Sequence, residues 1–342
     1  MSKTSRTVVV TGATAGVGRA IARRFAAAGD RIGLIARDAA ALEEVKTALE
    51  GFGVEAAAEA LDVADAEAVF AAASRLEDKL GPIDVWINDA METVFSTVAE
   101  IRPAEFRRVT EVTYLGFVHG TMAALKSMRA RGRGRILQMG SALAYRGIPL
   151  QAAYCGAKHA IRGFTDSLRA ELLAERSRIT VSIVELPAVN TPQFDWARAH
   201  LAHTPRPMGR PVQPEVVADA VYRASFGSWR EYWLGLPTIL LILGDFVLPG
   251  ALDRYLAWTA IKGQQTKTPI AADRADNLEH PVTPLHRVRG SFNGEAETHA
   301  PLVVGEVARL SAVAAGASFF FVVGAVWSSA RRVRSRRGAP SS

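Results

Sequence analysis

The sequence predicts a doubly wound α/β fold, in which helices cover both faces of a parallel sheet. Short apolar runs alternate along the chain with longer stretches of helix-forming residues. Continuous apolar runs are typical of parallel strands that are buried on both faces. A glycine-rich turn directly follows the first run, as in the strand–turn–helix unit that begins such sheets. These observations indicate one α/β domain.

Six apolar runs are assigned as strands, in the order RTVVVTG, RIGLIAR, VEAAAEALDV, IDVWIND, GRILQMG and RITVSIVELP. Crossover helices are expected near residues 16–28, 39–52, 65–80, 103–130 and 152–176. The 342-residue chain can bury a core of about 250 residues and still leave an extension. We therefore expect residues 1–260 to form the α/β domain.

Composition and charge exclude several classes of protein. With 49% hydrophobic and 22% charged residues, the chain as a whole is not disordered. The single cysteine, Cys155, allows no internal disulfide, and the scattered histidines show no metal-ligand spacing, so no metal site is expected. Most of the net charge of +7 lies in a C-terminal cluster, so it does not indicate a nucleic-acid partner. That cluster consists of Arg331, Arg332, Arg334, Arg336 and Arg337.

The stretch TGATAGVG, from Thr11 to Gly18, indicates a dinucleotide site. Glycines permit a tight turn and let backbone N–H groups approach a pyrophosphate at the start of the next helix. A purely structural turn is the alternative, and the strand–turn–helix context favours binding. The predicted cofactor contacts in this turn are Gly12, Thr14, Gly16, Val17 and Gly18.

Arg37 favours NADP over NAD. It follows the second strand, where a carboxylate would otherwise bind the ribose, and an arginine there accommodates a 2′-phosphate. Arg19 adds positive charge nearby. The neighbouring Asp38 leaves the preference open unless it serves as the N-cap of the following helix.

Tyr154 and Lys158 lie four residues apart in a predicted helix, so their side chains share one face. Taken alone, this pair favours a solvated lysine that covers a half-buried tyrosine. Further motifs decide between the two interpretations. The glycine spacing, the LDV at 61–63, Ser141 at the end of the fifth strand and the Tyr154-x-x-x-Lys158 pattern together resemble the short-chain dehydrogenase/reductase family over about residues 5–260.

The resemblance implies hydride transfer between a nicotinamide and a carbon that bears oxygen, which requires a proton donor or acceptor near that oxygen. A tyrosine has an ordinary pKa of about 10, and a neighbouring ammonium is expected to lower it. Lys158 is therefore expected to tune Tyr154, and the resemblance implies that it also binds the nicotinamide ribose. Ser141 is expected to hydrogen-bond the substrate oxygen, with a strand-end hydroxyl as the alternative.

Further cofactor contacts, and a homo-oligomer, are implied by the resemblance alone. Asp62 is similar to the residue beside the adenine, although it and Asn88 could be strand-end caps instead. The ELPAVNTP segment resembles the one that touches the carboxamide. The contacts implied in this way are Asp62, Val63, Asn88, Pro187, Val189 and Thr191.

The segment NDAM and the residue Thr113 depart from the family pattern. The segment NDAM has Asp89 and Met91 where the family has Asn and Gly, and Met91 is expected to line the substrate pocket. Thr113 stands at the position of the fourth catalytic residue, an asparagine that orders a water on the lysine, and its hydroxyl could take the same role. An NADP(H)-binding scaffold or redox sensor with little turnover is therefore the alternative to an enzyme.

The segment YWLGLPTILLILGDFVLPG is very apolar and favours an apolar alcohol, ketone or aldehyde as substrate. Its core, residues 234–248, is short for a membrane span and contains Pro237, Gly244 and Asp245. It is interpreted as the last strand and a pocket-lining helix, with a membrane-contacting surface as the alternative.

Residues 261–309 are polar and are expected to form a linker or arm that crosses the surface. Residues 310–329 contain no charge, and the basic tail at 330–342 follows them, which is the pattern of a membrane anchor that contacts lipid. A helix packed on the domain or on a partner subunit is the alternative. Because the first strand begins near the N-terminus without a signal peptide, the catalytic domain is expected in the cytoplasm.

Overall fold

The computed structural model describes residues 5–315. Its main sheet has eight strands in the order β12-β10-β7-β6-β4-β1-β2-β3. All neighbours in this sheet pair in parallel except β10 and β12, which are antiparallel. Within the described residues the strands are β1 (Thr7–Thr11), β2 (Arg31–Ala36), β3 (Ala56–Ala60), β4 (Ile83–Asn88), β5 (Val94–Phe95), β6 (Arg133–Met139), β7 (Arg178–Glu185), β8 (Arg198–Ala199), β9 (His203–Pro205), β10 (Glu231–Leu234), β11 (Gln265–Pro269) and β12 (Leu302–Val304).

Helices cover both faces of this sheet, which confirms the predicted fold class. Val8 and Val10 of β1 pack among residues of α1, α2 and α8, whereas Val9 packs among residues of α3, α5 and α6. The α-helices in this part of the chain are α1 (Gly16–Ala26), α2 (Ala39–Glu50), α3 (Ala66–Leu80), α4 (Pro103–Thr110), α5 (Gly116–Arg131), α6 (Ala152–Ala174), α7 (Gln193–Trp196), α8 (Pro214–Ala224), α9 (Leu236–Val247) and α10 (Pro249–Gly263).

The helix predicted over 103–130 is interrupted by one π-helical turn, Glu111–Leu115. Thr113 lies in this turn and is fully buried. Its hydroxyl accepts a hydrogen bond from the Glu92 N–H and donates one to the Glu92 carbonyl, each at 2.9 Å. Gly116 follows the turn because a side chain there would meet Val63, with only 2.6 Å between a Cβ and Val63 Cγ2. The helix is therefore interrupted at the place where Thr113 bonds the segment after β4.

Strand register brings the functional segments to one edge of the sheet. Thr11 at the end of β1 pairs with Ile35 near the end of β2, and Met139 at the end of β6 pairs with Val184 of β7. The loops that follow these strands therefore open at the same carboxyl edge, where open α/β sheets bind ligands.

The C-terminal region joins the sheet instead of leaving it. Strand β12 pairs with β10, and β11 pairs with β9, so the folded unit includes residues beyond the boundary predicted at residue 260. The segment predicted as a polar linker or arm, residues 261–309, contains both β11 and β12. Residues 305–315 are helical, and no helix among residues 5–315 is long and apolar enough to cross a membrane. Of the predicted anchor, residues 316–329 lie outside the described residues, as does the basic tail at 330–342.

Asn88 at the end of β4 holds a buried polar network together. Its Oδ1 accepts from Trp86 Nε1 at 2.8 Å, and its Nδ2 donates to Thr121 Oγ1 at 3.1 Å and to Gln138 Oε1 at 2.9 Å. Gly120 leaves room for this amide, since a Cβ there would lie 2.2 Å from Asn88 Oδ1. The alternative interpretation of Asn88 as a structural strand-end residue fits this environment.

We expect Asn88→Ala to lower the free energy of unfolding by about 2–4 kcal/mol, because it leaves several buried polar partners unsatisfied. Chemical denaturation of the purified protein measures this loss. Ser74→Ala, which removes an exposed hydroxyl bonded only to the Phe70 carbonyl within α3, is the control and should change the stability by less than about 0.5 kcal/mol. An Asn88→Ala protein as stable as the control would contradict the structural role.

Candidate active site

A cavity of about 660 Å³ lies at the carboxyl ends of the parallel strands. Its walls come from the turn after β1, the ends of β2 and β3, and the segments after β4, β6 and β7. Most of the residues predicted from the sequence as cofactor or catalytic residues line it together. These are Gly12, Thr14, Gly16, Val17, Arg37, Asp62, Val63, Ser141, Tyr154, Lys158, Pro187, Val189 and Thr191.

The glycine-rich turn has the close packing that the sequence predicts. Gly12 has a φ of 71°, and a Cβ there would lie 2.9 Å from the backbone of Ala90. Gly18 lies over Gly12, with only 2.3 Å between a Cβ at Gly18 and the Gly12 carbonyl oxygen. Ala15, the N-cap residue of α1, offers no side-chain acceptor, and the Gly16 and Gly18 N–H groups bond the Arg287 carbonyl and the Asp89 side chain. The glycine turn and the positive end of this helix border the cavity, which suits a phosphate group, so this wall fits a dinucleotide.

Ser141, Tyr154 and Lys158 meet at the opposite end of the cavity. Ser141 follows β6 and begins a short 3₁₀ turn, where its Oγ accepts from the Leu143 N–H at 3.1 Å. A hydrogen bond links its side chain to the Tyr154 hydroxyl. Lys158 lies one turn further along α6, and its Nζ donates to the Met139 carbonyl at 2.7 Å. Ser141 and Tyr154 are therefore bonded to each other, and Lys158 lies next to the Tyr154 ring.

The expectation that Lys158 lowers the pKa of Tyr154 is wrong for this arrangement. Burial raises the pKa of Tyr154, and the hydrogen bond from Ser141 offsets only part of that rise. Lys158 lies with its Nζ 5.5 Å from the centre of the Tyr154 ring and donates to Met139 instead. Burial also lowers the pKa of Lys158 itself. At neutral pH Tyr154 is thus a protonated phenol, ready to donate.

Two buried carboxyl groups surround this group. Asp89 accepts a hydrogen bond from the Gly18 N–H, and burial raises its pKa despite the nearby Lys158 charge. Glu185, at the end of β7, lies beneath Gly140, where a Cβ would come within 2.3 Å of Glu185 Oε2. Burial raises the pKa of Glu185 to about 8. Asp89 therefore has a structural use at the glycine turn, whereas no sequence motif indicated Glu185.

Three predicted site residues do not line the cavity. Thr113 was expected to order a water on Lys158, but its hydroxyl is engaged by the backbone of Glu92. Its position suits holding the segment after β4 in place. Asn88 is fully buried in the network described above. Gly18 likewise does not line the cavity, and its N–H is directed at Asp89. Met91 does line the cavity, as expected.

The end of the cavity beyond Ser141 is apolar. Helices α9 and α10 form one side of it, so the prediction that the segment after β10 includes a pocket-lining helix is confirmed. The apolar residues that line this end are Leu143, Ile148, Phe194, Met208, Leu240, Leu241, Leu252 and Leu256.

The side of the cavity near Arg37 and Asp38 has a wall that sequence reasoning missed. Asn277, Pro281, Val282 and His286 line the cavity there, and all four come from the polar segment interpreted as a linker. Their composition carried no signal, since proline, aspartate and histidine in a polar stretch are typical of surface loops.

Comparisons with known proteins agree with this geometry. The family described as short chain dehydrogenase matches residues 6–201. A dehydrogenase/reductase SDR family member 7B from Bos taurus is 36% identical over 275 residues, which cover 76% of this chain and 83% of the relative. The chain therefore belongs to the short-chain dehydrogenase/reductase family, as its motifs suggested, and is an oxidoreductase of that family.

Two solved structures are similar in fold. A variant of the actinorhodin polyketide ketoreductase with NADPH has a TM-score of 0.59 and 30% identity, covering 66% of this chain and 94% of that one. An alcohol dehydrogenase from the archaeon Thermococcus sibiricus, in complex with 5-hydroxy-NADP, has a TM-score of 0.59 and 26% identity, covering 67% and 95%. Structural relatives within the family thus bind NADP(H).

We expect Tyr154→Phe to reduce turnover at least about a thousandfold, since it removes the proton donor and little of the packing. NADPH binding, followed by fluorescence titration, should stay within about twofold of the unmodified protein. The control is Tyr255→Phe, which alters a hydroxyl at the apolar end of the same cavity and should leave turnover largely unchanged. Substantial activity in Tyr154→Phe would mean that another group is the acid.

Proposed function

We propose that this protein is an NADP(H)-dependent oxidoreductase that interconverts an apolar alcohol and the corresponding ketone or aldehyde. The observation that carries the proposal is the protonated Tyr154 phenol, hydrogen-bonded to Ser141, at the boundary between a dinucleotide-like wall and an apolar end of one cavity. A carbonyl carbon must meet a hydride source on one side and a proton donor at its oxygen, and this boundary is the place where both can act.

Each residue has a distinct task in carbonyl reduction. Ser141 hydrogen-bonds the substrate oxygen and holds it beside the Tyr154 hydroxyl, and Tyr154 gives its proton to that oxygen as negative charge develops. Lys158 holds a positive charge next to the phenolate that this transfer creates. When bound, the nicotinamide supplies the hydride. Leu143, Ile148 and the α9–α10 residues exclude water from the apolar group of the substrate.

The raised pKa of Tyr154 suits the donor role that carbonyl reduction requires. A phenol whose pKa is raised by burial stays protonated at neutral pH and can give its proton to a substrate oxygen. Alcohol oxidation is the reverse reaction and would first require loss of that proton.

Two contacts support NADP(H) over NAD(H). Arg37 borders the cavity and places there a guanidinium that also pairs with Glu92 at 2.6 Å. Asp38 caps α2 by accepting from the Ala41 N–H at 3.0 Å and also accepts from the Thr283 hydroxyl at 2.7 Å. Asp38 is thus engaged and is not arranged to bind a ribose diol.

A scaffold or redox sensor with little turnover is the competing function. The departures at Asp89 and Thr113 motivated it, but each has a structural use, at the Gly18 N–H and at the Glu92 backbone. A scaffold would have no need for Ser141, Tyr154 and Lys158 together in the wall of one cavity.

A reductase assay with apolar ketones and aldehydes tests the proposal, and NADPH should give a kcat/KM at least about tenfold above that with NADH. Arg37→Asp should reverse this preference because it replaces the positive charge with a carboxylate. Arg24→Asp is the control, since Arg24 lies on α1 outside the cavity and pairs with Asp219. Equal kcat/KM values with the two cofactors in the unmodified protein would contradict the NADP assignment, and absence of turnover with every carbonyl would favour the scaffold.

We further propose that the protein associates with a lipid bilayer. Helices α9 and α10 and their connection expose a group of large apolar side chains, with Phe246 85% and Trp258 89% exposed. Arg146 pairs with both Asp245 and Asp253 of this hairpin and so offsets part of its acidic charge. Leu240 and Tyr255 are exposed and also line the cavity, which would open the site toward the apolar phase. The charge-free sequence 310–329 is long enough to add an anchor.

The full-length protein should sediment with vesicles that contain anionic lipid and stay bound at high salt, because apolar burial is not screened. The double substitution Phe246→Glu and Trp258→Glu should release a large part of the bound fraction. Leu173→Glu, at a residue of α6 that is 72% exposed, is the control and should have no effect. Full-length protein that remains in the supernatant, or a double variant that binds as well as the control, would contradict the proposed surface.

A further inference from the structure

The segment from Asp276 to Arg287, named here the cofactor arm, is bonded to the end of β2. Arg37 donates from Nη1 to the carbonyls of Leu278 at 3.3 Å and Glu279 at 3.2 Å, and from Nη2 to the carbonyl of Asn277 at 2.5 Å. The Leu278 side chain is fully buried among Val94, Val109 and Ala153. This first part of the arm is therefore fixed in the fold.

The second part of the arm is bonded to the two turns that form the predicted adenosine end. The Thr283 hydroxyl donates to Asp38 Oδ2 at 2.7 Å, and Arg19 Nη1 donates to the His286 carbonyl at 2.8 Å. The Gly16 N–H donates to the Arg287 carbonyl at 2.9 Å. The arm thus crosses the mouth of the cavity between the glycine turn and the end of β2.

The arm also contacts α7, which lies on the other side of the cavity. The Asn277 N–H donates to the Trp196 carbonyl at 3.1 Å, and the His286 ring packs on the Trp196 ring with 5.6 Å between ring centres. Arg287 also pairs with Asp195 at 2.6 Å. Because these contacts are on the α7 side of the cavity, the arm bridges its two walls.

Two polar atoms of the arm have no partner within the described residues. Asn277 Oδ1 and His286 Nδ1 are both buried without a hydrogen bond, and both residues line the cavity. The His286 side chain is only 7% exposed, and its Nε2 lies 3.9 Å from Asp38 Oδ2. With the ring proton assigned to Nε2, on the side of Asp38, Nδ1 is an acceptor, as is Asn277 Oδ1. Buried acceptors without a donor are costly, so their presence indicates a ligand that brings donors.

The arm encloses space and does not fill it. The cavity beneath it keeps about 660 Å³, within the range of ligand pockets, and runs from the glycine turn past Asp62 to Lys158. A dinucleotide can lie along this path, with its adenosine half under the arm. The adenosine half carries amino and hydroxyl donors that match the two unpaired acceptors.

We propose that the cofactor arm is part of the dinucleotide site, where Asn277 and His286 accept hydrogen bonds from the adenosine half and the arm retards its release. This inference rests on the proposed function, because it assumes that the cavity binds NADP(H). It adds binding residues that lie outside the motifs from which the family was recognised.

Fluorescence titration of the full-length protein with NADPH measures the effect directly. Asn277→Ala and His286→Ala should each weaken binding about tenfold, and the double variant should weaken it further. His280→Ala is the matched control, since His280 is an exposed residue of the arm that does not line the cavity. Thermal unfolding without cofactor should give all four variants a similar midpoint, which separates lost ligand contacts from a damaged fold.

Stopped-flow release of NADPH tests the retarding role. Thr283→Val removes the bond to Asp38 without touching the cavity, so release should be several-fold faster. If NADPH binds the unmodified protein but Asn277→Ala and His286→Ala bind it equally well, the inference is overturned while the proposed function stands. An unchanged release rate in Thr283→Val would overturn the retarding role. If NADPH does not bind the unmodified protein, the proposed function fails as well.

Discussion

The chemistry of this protein depends on the burial of ionisable groups at the carboxyl edge of the sheet. Removing a group from water disfavours its charged form, so burial raises the pKa of Tyr154 and Glu185 and lowers the pKa of Lys158. Lys158 does not reverse the rise in the pKa of Tyr154, because its Nζ donates to the Met139 carbonyl. Tyr154 is thereby held as a buried phenol beside Ser141, where it can donate its proton.

Three parts of the chain create this enclosed environment, and they are far apart in sequence. The parallel strands supply the glycine turn and the candidate catalytic residues, the α9–α10 hairpin lines the proposed substrate end, and the cofactor arm lines the proposed adenosine end. Strand β11 precedes the arm and pairs with β9, and β12 follows it and pairs with β10, so paired strands hold both ends of the crossing. We infer that the C-terminal extension is an integral part of the site and not an appendage to a finished domain.

The sequence predicted the parts of this arrangement that are encoded locally. Apolar runs and glycine spacing depend on neighbours along the chain, so the strands, the first turn and the Tyr154–Lys158 pair could be located without a structure. The arm could not be located in this way, because Arg37 contacts it through the backbone carbonyls of residues about 240 positions away, and carbonyls carry no sequence identity. Likewise, the engagement of Thr113 with the Glu92 backbone requires the π-helical turn, which no pattern indicated.

The central claim is that Tyr154 is a buried, protonated acid. The pH dependence of the two reaction directions tests it most directly. With the phenol pKa raised, the rate of carbonyl reduction should stay nearly constant between about pH 6 and 9, while alcohol oxidation should rise up to about tenfold per pH unit as the phenolate becomes accessible. A reduction rate that falls through a pKa near 7, with fast oxidation at the same pH, would show that Tyr154 is already ionised near neutrality and would contradict the account.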